Sequence, residues 1–294
     1  MRILGTIFAG LLGLAFGSFL NVCLSRWPAG ESVVKPRSHC RQCGRTLAWW
    51  ENVPLVSWLA LRGRCRTCRA WIGWRYPLVE LAVGLLWAFT AWQSLPGVLF
   101  PYIFQPYPYQ QTVSTVQELL LFWLLVALAA FDAEQLWLPD WITVPGTVVG
   151  SLFYLIPLVF WTLHIGDEEI AAMAAWAAAK FIVGILAAAS LILLIRWLYW
   201  LVRRREGIGL GDAKLMALLA AWLGLPQALL AFGIGIVLGA LAAVVLLVIP
   251  SARRGSETWA MSKLPLGTFL CIGGIVSSLW GQPILAAYLR WAGL

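Results

Sequence analysis

Charge is what this chain lacks. Only 12% of its 294 residues are charged and 61% are apolar, whereas soluble domains are about a quarter charged and half apolar. The shortage excludes a single large water-soluble core, because the apolar residues are gathered into long runs of the kind that cross bilayers. The net charge of +8 would suggest nucleic acid in a soluble protein. Here the basic residues cluster in loops between apolar runs, where they set topology, so no nucleic-acid partner is expected. Repeats and low-complexity tracts are also missing. The six cysteines lack the spread of a secreted disulfide scaffold. Four fall in one polar segment, while Cys23 and Cys271 stand alone in or near apolar runs and are expected to be small packed residues. Tryptophan, by contrast, is abundant (19 residues), and much of it lies near run ends, as interfacial anchors do.

Eight apolar runs are present, roughly at 3–23, 77–95, 117–132, 141–163, 171–201, 212–226, 228–250 and 265–288. The expected fold is an all-α polytopic membrane protein with about eight transmembrane helices. Residues 1–23 form the first helix, 24–76 a small polar insert and 77–294 the main bundle. The third and sixth runs are short of the roughly 20 residues a bilayer asks for. The first run is long for a signal peptide and has no small-residue cleavage site, so it is expected to stay as a helix.

Loop charges orient these spans. Segment 24–76 carries Arg26, Lys35, Arg37, Arg41, Arg45, Arg62, Arg64, Arg66, Arg69 and Arg75, which places it in the cytoplasm. Alternation then puts loop 96–116 outside, and it has no Lys or Arg. Loop 164–170, with Asp167, Glu168 and Glu169, also falls outside. Arg203-Arg204-Arg205 and the loop with Arg253, Arg254 and Lys263 fall inside. The N-terminus is expected outside.

The insert holds Cys40-x-x-Cys43 and Cys65-x-x-Cys68, 21 residues apart. Two such hooks can close on one tetrahedral Zn²⁺ through four thiolates. Nearby arginines offset the negative charge of a tetrathiolate site. An iron–sulfur cluster is the chemical competitor, and a cytoplasmic position opposes disulfides. His39 is a bystander, since four thiolates fill the shell. Such a site is structural, with no position left open for substrate.

Acids within apolar runs are costly and point to function. Asp132 closes the third run and Asp212 opens the sixth, after Gly209-Leu210-Gly211. The topology puts both at the cytoplasmic boundary. The glycines let backbone approach another chain segment closely. Asp212 meets the free N–H groups at its own helix start, whereas the dipole of its helix disfavours a carboxylate at Asp132. Two acids in contrasting settings can share a proton and activate water against an amide. The plainer reading makes Asp212 an N-cap and Asp132 a span end at the wet interface. Asp140 reads as the N-cap of the fourth span, Lys214 as a snorkelling cation, and Glu80 as a possible third functional acid or as the i−4 partner of Tyr76.

In combination these segments resemble the type IV prepilin peptidase family. Gly17-Ser18-Phe19-Leu20-Asn21-Val22 with Arg26-x-Pro28 is similar to its N-terminal signature. Ser38-x-Cys40-x-x-Cys43, Asn52-Val53-Pro54-x-x-Ser57-Trp58-Leu59 and Arg62-Gly63-Arg64-Cys65-Arg66-x-Cys68 resemble its zinc segment. Arg75-Tyr76-Pro77-x-Val79-Glu80 resembles the entry to its second helix. Asp132 with Leu138-Pro139-Asp140, and Gly209-x-Gly211-Asp212-Ala213-Lys214, resemble its two aspartate motifs. Leu264-Pro265-Leu266-Gly267-Thr268-Phe269 resembles its C-terminal motif, with departures around the glycine.

The resemblance implies a bifunctional enzyme of the bacterial inner membrane. It would cut the leader from type IV prepilins or pseudopilins and methylate the new N-terminus from S-adenosylmethionine. It implies Asp132 and Asp212 as catalytic, Gly209, Gly211 and Lys214 as supporting, Glu80, Gly17 and Asn21 as methyltransferase or substrate residues, and Cys40, Cys43, Cys65 and Cys68 on zinc. Competing readings are a presenilin-like intramembrane protease, a proton-coupled transporter, which would need polar residues across the midplane, and a non-enzymatic scaffold.

Overall fold

The computed structural model describes residues 2–99, 108–205, 209–248 and 264–293. The loop cations Arg253, Arg254 and Lys263 and the middle of the loop 96–116 lie outside the described residues. Each of the eight apolar runs is helical. In chain order the α-helices are α1 (Arg2–Arg26), α2 (Val56–Ala60), α3 (Arg75–Leu99), α4 (Pro108–Gln135), α5 (Asp140–Ile165), α6 (Glu168–Arg203), α7 (Leu210–Leu223), α8 (Leu225–Val248) and α9 (Leu266–Ala292). Among the described residues no strand forms; the only β pairing is the isolated bridges His39–Thr46 and Arg64–Trp71.

Six of these helices, α1, α4, α5, α6, α8 and α9, are long and apolar enough to cross a membrane. Helices α3 and α7 form at the other two apolar runs and are not among those six. Helix α7 has 14 residues and so reaches only about 21 Å, short as expected. The third run is not short: α4 has 28 residues. Its polar first turns, Pro108-Tyr109-Gln110-Gln111, hide the start of the helix from a hydropathy reading.

The chain forms two compact units, Met1–Ala130 and Phe131–Leu294. In the first, α1 packs along α3. A Cβ at Gly13 would come within 2.9 Å of the Val83 carbonyl, and one at Gly17 within 2.7 Å of the Glu80 Cα. Small residues at this seam let the two backbones meet, which is how helices associate where no water drives them together. The insert leaves α1 through Arg26. Its guanidinium is buried and donates to the Ser32 carbonyl at 2.8 Å and the Pro36 carbonyl at 2.7 Å.

In the second unit α7 is central, packing against α5, α6, α8 and α9. It is buried on nearly all sides, with Asp212, Ala213, Leu215, Met216 and Leu218–Trp222 inside. An all-round apolar helix of this kind belongs in a core. The Trp222 indole N–H donates to the Gly146 carbonyl at 2.8 Å and fills the space where Gly150 has no side chain.

Candidate active site and metal centre

The candidate metal centre is built by two hooks of one construction. The Cys40 N–H donates to the Arg45 carbonyl, and the Gly44 N–H to the Cys40 carbonyl at 2.8 Å; in the second hook the Cys65 N–H donates to the Ala70 carbonyl and the Arg69 N–H to the Cys65 carbonyl at 3.0 Å. Each hook turns on a residue with positive φ, Gly44 at 70° and Arg69 at 59°. The four Sγ atoms lie within 4.8 Å of one another, and Cys40 and Cys68 are 3.7 Å apart. Tetrahedral Zn–S bonds of about 2.3 Å put sulfurs about 3.8 Å apart, so this donor set suits such an ion. None of the four is in a disulfide. Backbone N–H groups of Cys68 and Thr67 hold the Cys65 thiol low, at about 6, whereas, against the Ala70 N–H, burial and hydrogen bonds to the other sulfurs push Cys68 up to about 11; a metal ion must therefore displace at least that proton. His39 stays outside the cluster and meets the Arg37 carbonyl.

Beside the hooks, Arg45 pairs with the buried Glu51 at 2.6 Å. Glu51 also accepts the Ala48 N–H at 2.8 Å. The Arg45 hydrogen bond holds Glu51 below the ordinary carboxylate range. Glu80, on α3, is 6% exposed and accepts the Leu55 N–H at 2.8 Å. Leu55 has φ 58°, a strained setting for a bulky residue, and Glu80 holds it there. This corrects the i−4 expectation. The Tyr76 carbonyl accepts from Asn21 and its hydroxyl meets Ser25, whereas Glu80 bonds to Leu55, Ser18 and Asn21. Gly17, for its part, sits in the α1–α3 seam.

The second unit gathers four helix ends: the C-terminus of α4 and the N-termini of α5, α7 and α9. Asp132, one turn before the end of α4, is 6% exposed; Asp212, third residue of α7, is 8% exposed. They are near enough to interact electrostatically. Asp212 is not the N-cap. Gly209 is, and its N–H donates to the Asp212 carboxylate at 3.2 Å. A Cβ at Gly211 would stand 3.1 Å from the Leu138 Cβ, so the glycine admits Leu138 against α7.

Asp132 is not left to an unfavourable dipole either. Its carboxylate accepts the Thr268 N–H at 2.6 Å and the Thr268 hydroxyl at 3.1 Å. The Gly267 N–H contributes as well. Those donors are the unpaired N–H groups at the start of α9, where a carboxylate is favoured. A Cβ at Gly267 would fall 2.9 Å from the Asp132 Cγ, so only glycine lets the helix end come this close. Both acids therefore sit at helix N-termini, Asp212 at its own and Asp132 at that of α9.

Thr268 and Leu138 were not recognised as site residues from sequence. The available signal was Pro265-x-Gly267-Thr268, in which Pro265 occupies the N-cap of α9 and a small residue follows. The Asp140 expectation changes as well. Pro139 is the N-cap of α5 and Asp140 lies in its first turn. Its carboxylate pairs with Lys214 at 2.5 Å. Lys214 thus ties α7 to α5 instead of standing alone at an interface.

A helical bundle that crosses a membrane and holds two buried, neighbouring carboxylates defines a class: polytopic membrane proteins with an acid pair among their helix ends. Two family models match this chain, the bacterial peptidase A24 N-terminal domain over residues 11–94 and the type IV leader peptidase family over residues 119–244. The chain is 36% identical to the prepilin leader peptidase/N-methyltransferase of Stutzerimonas stutzeri, covering 97% of this chain and 93% of that protein. It is 35% identical to that of Pseudomonas aeruginosa, over 96% and 93%, and 37% identical to that of Myxococcus xanthus, over 89% and 68%. No solved structure matches. The chain belongs to the type IV leader peptidase family. It is accordingly an enzyme of an aspartic protease family and a multi-pass membrane protein.

Proposed function

We propose that this enzyme removes the leader peptide from type IV prepilins or pseudopilins at the cytoplasmic face of a bacterial inner membrane, then methylates the new N-terminal amine with S-adenosylmethionine. The full-length similarity to proteins named prepilin leader peptidase/N-methyltransferase supports both activities. The observation that carries the proteolytic reading is the acid pair: two buried, interacting carboxylates, each held by N–H groups at a helix start.

In this reading one carboxylate of Asp132 and Asp212 takes a proton from water as its oxygen attacks the scissile carbonyl carbon. The other gives its proton to the amide nitrogen as the C–N bond breaks. The titration belongs to the pair. The Thr268 and Gly267 N–H groups hold Asp132 in place, Gly209 does so for Asp212, Gly211 admits Leu138, and Lys214 braces α7 through Asp140. A site at helix ends suits a bond just outside an apolar segment. The short α7 also thins the barrier to water locally; the long α4 does not contribute to that effect.

The insert 24–76 is a structural zinc domain in this reading, with Cys40, Cys43, Cys65 and Cys68 as ligands and metal supplying folding free energy. The N-terminus lies outside, and lipid covers the many exposed Leu, Ile, Val and Trp side chains of the spans. Bound S-adenosylmethionine supplies the methyl group. Asn21 and Glu80 belong to that half-reaction, with Glu80 as proton acceptor for the product amine, and Gly17 keeps α1 against α3 beneath them.

Mass spectrometry of a prepilin incubated with the detergent-solubilised enzyme tests this. Loss of the leader is expected without the methyl donor, and a further gain of one methyl group with it. An intact prepilin would overturn the proteolytic reading, and a cleaved but never methylated product the other half.

A further inference from the structure

The first unit contains a cavity of about 270 Å³, close to the smallest ordinary small-molecule sites. Ser18, Asn21, Ser57, Trp58, Tyr76 and Glu80 line it. Asn21 is 2% exposed. Its amide N–H₂ donates to the Tyr76 carbonyl at 2.9 Å and reaches Glu80, so two acceptors fix which way the amide faces. A flipped amide would set oxygen against oxygen twice. The Asn21 Oδ1 is buried and has no hydrogen-bond partner. A buried acceptor without a donor is costly, and this one belongs to a residue of the cavity wall.

The wall carries both signs, Arg26, Arg41 and Arg66 beside Glu51 and Glu80, and they differ in what each faces. Glu80 bonds only to neutral donors, the Leu55 N–H and the Ser18 and Asn21 side chains. The cations at the cavity are engaged elsewhere. Arg26 is held by the Ser32 and Pro36 carbonyls, Arg41 by the Ser25 carbonyl and Glu31, and Arg66 lies over the Trp50 ring. Glu51 is neutralised by Arg45. Trp58 supplies an aromatic surface, set in place by its indole N–H on the Ile72 carbonyl at 3.0 Å. An orphan acceptor, a carboxylate among neutral donors and an indole ring together suit an organic cation.

We propose that this cavity binds an onium group of the methyl-transfer reaction through Asn21 Oδ1, the Glu80 carboxylate and the Trp58 ring. The inference rests on the methyltransferase reading above and assigns it a place. Two sources supply that chemistry: the sulfonium of the methyl donor and the terminal ammonium of the cleaved product.

Calorimetric titration of the full-length, zinc-loaded protein in detergent separates them. The probes are sinefungin, cationic where the donor has its sulfonium, against neutral S-adenosylhomocysteine, and a short peptide with a free N-terminus against its acetylated form. Sinefungin favoured over S-adenosylhomocysteine assigns the donor; the free amine favoured over the acetylated peptide assigns the product. Glu80→Gln, which still accepts the Leu55 N–H, is expected to weaken the favoured cation about tenfold or more. Glu80→Asp, which keeps the charge, is expected to retain the preference. Zinc content and thermal unfolding report whether each variant is folded. Cation preference unchanged in a folded Glu80→Gln variant, or absent from the wild type, overturns the proposal. If the wild type methylates prepilin while that result holds, the function stands and only this site falls.

Discussion

The cysteine cluster and the aspartate pair are assembled by opposite means. The cluster is made of two local hooks whose backbone bonds span no more than a few residues, Cys40 to Arg45 and Cys65 to Ala70. These bonds of each hook use no residue of the other. The aspartate site has one local bond, from the Gly209 N–H to Asp212, and otherwise depends on remote segments. Asp132 is held by Thr268, 136 residues away, and Leu138, from another connection, packs at Gly211 next to Asp212 in the chain. A local site shows itself as spacing in the chain. A non-local site shows only its separate parts.

The sharpest way to test that contrast is to break each site and read both. Asp132→Asn or Asp212→Asn is expected to lower prepilin cleavage by about 10²–10⁴-fold or more, since each removes a proton-transfer group. Zinc content, measured by atomic absorption, should stay at one equivalent. Full cleavage by both variants would end the dyad reading. In the reverse experiment, Cys40→Ser is expected to lower metal affinity by at least about tenfold and to impair methylation. A variant with a full metal equivalent and unchanged methylation would show that the hooks do not act as one site.

Gly267→Ala is next in size. Its Cβ would sit 2.9 Å from the Asp132 Cγ, so the carboxylate or α9 must shift. A displacement near 1 Å costs about 10²-fold in rate, read as kcat for cleavage with zinc content unchanged. Wild-type kcat would mean that the contact does not position the acid.

Acidity probes the hooks alone. The Cys65 thiol is lowered from 9.0 to about 6, so its contribution is fully present above the ordinary thiol value and is lost as the pH falls through about 6. Bound metal lowers that midpoint further, because it competes with protons for the thiolates. Zinc should remain bound at neutral and alkaline pH and dissociate below about 6, followed with a chromogenic chelator. Release on raising the pH from 7 to 9 would contradict the thiolate assignment.

The smallest effect is expected at Lys214. Its side chain is 40% exposed and that of Asp140 66%, and exposed pairs of this kind are worth about 0–1 kcal/mol. Lys214→Met should change cleavage by less than about fivefold. A much larger loss would give the cation a part in the chemistry beyond its tie to α5.

Much of the molecule was legible in the chain itself, for identifiable reasons. Hydropathy marks helices that must satisfy every backbone group internally in lipid, so the six helices long and apolar enough to cross a membrane were visible, and the short α7 was marked as an apolar run too. The polar first turns of α4 were not, because a helix turn built from polar residues has no hydropathy signal. Cys-x-x-Cys pairs are legible because a tight turn fixes sulfur positions within four residues. Asp132 and Asp212 stood out as acids where acids are costly.

What tertiary structure alone decided is which group answers which acid. From sequence, Asp132 faced the wrong end of its own dipole. In the fold that carboxylate meets the bare N–H groups of α9, admitted by Gly267, and the apparent conflict disappears. Glu80 likewise passes over its neighbour Tyr76 to hold the strained Leu55, and Asn21 keeps one amide oxygen buried without a partner in the wall of a cavity. Spacing along a chain specifies contacts that a single turn can close. Contacts between helix ends depend on how whole helices stack, and the residues that permit them are glycines, whose missing side chains acquire meaning only when the neighbour is in place.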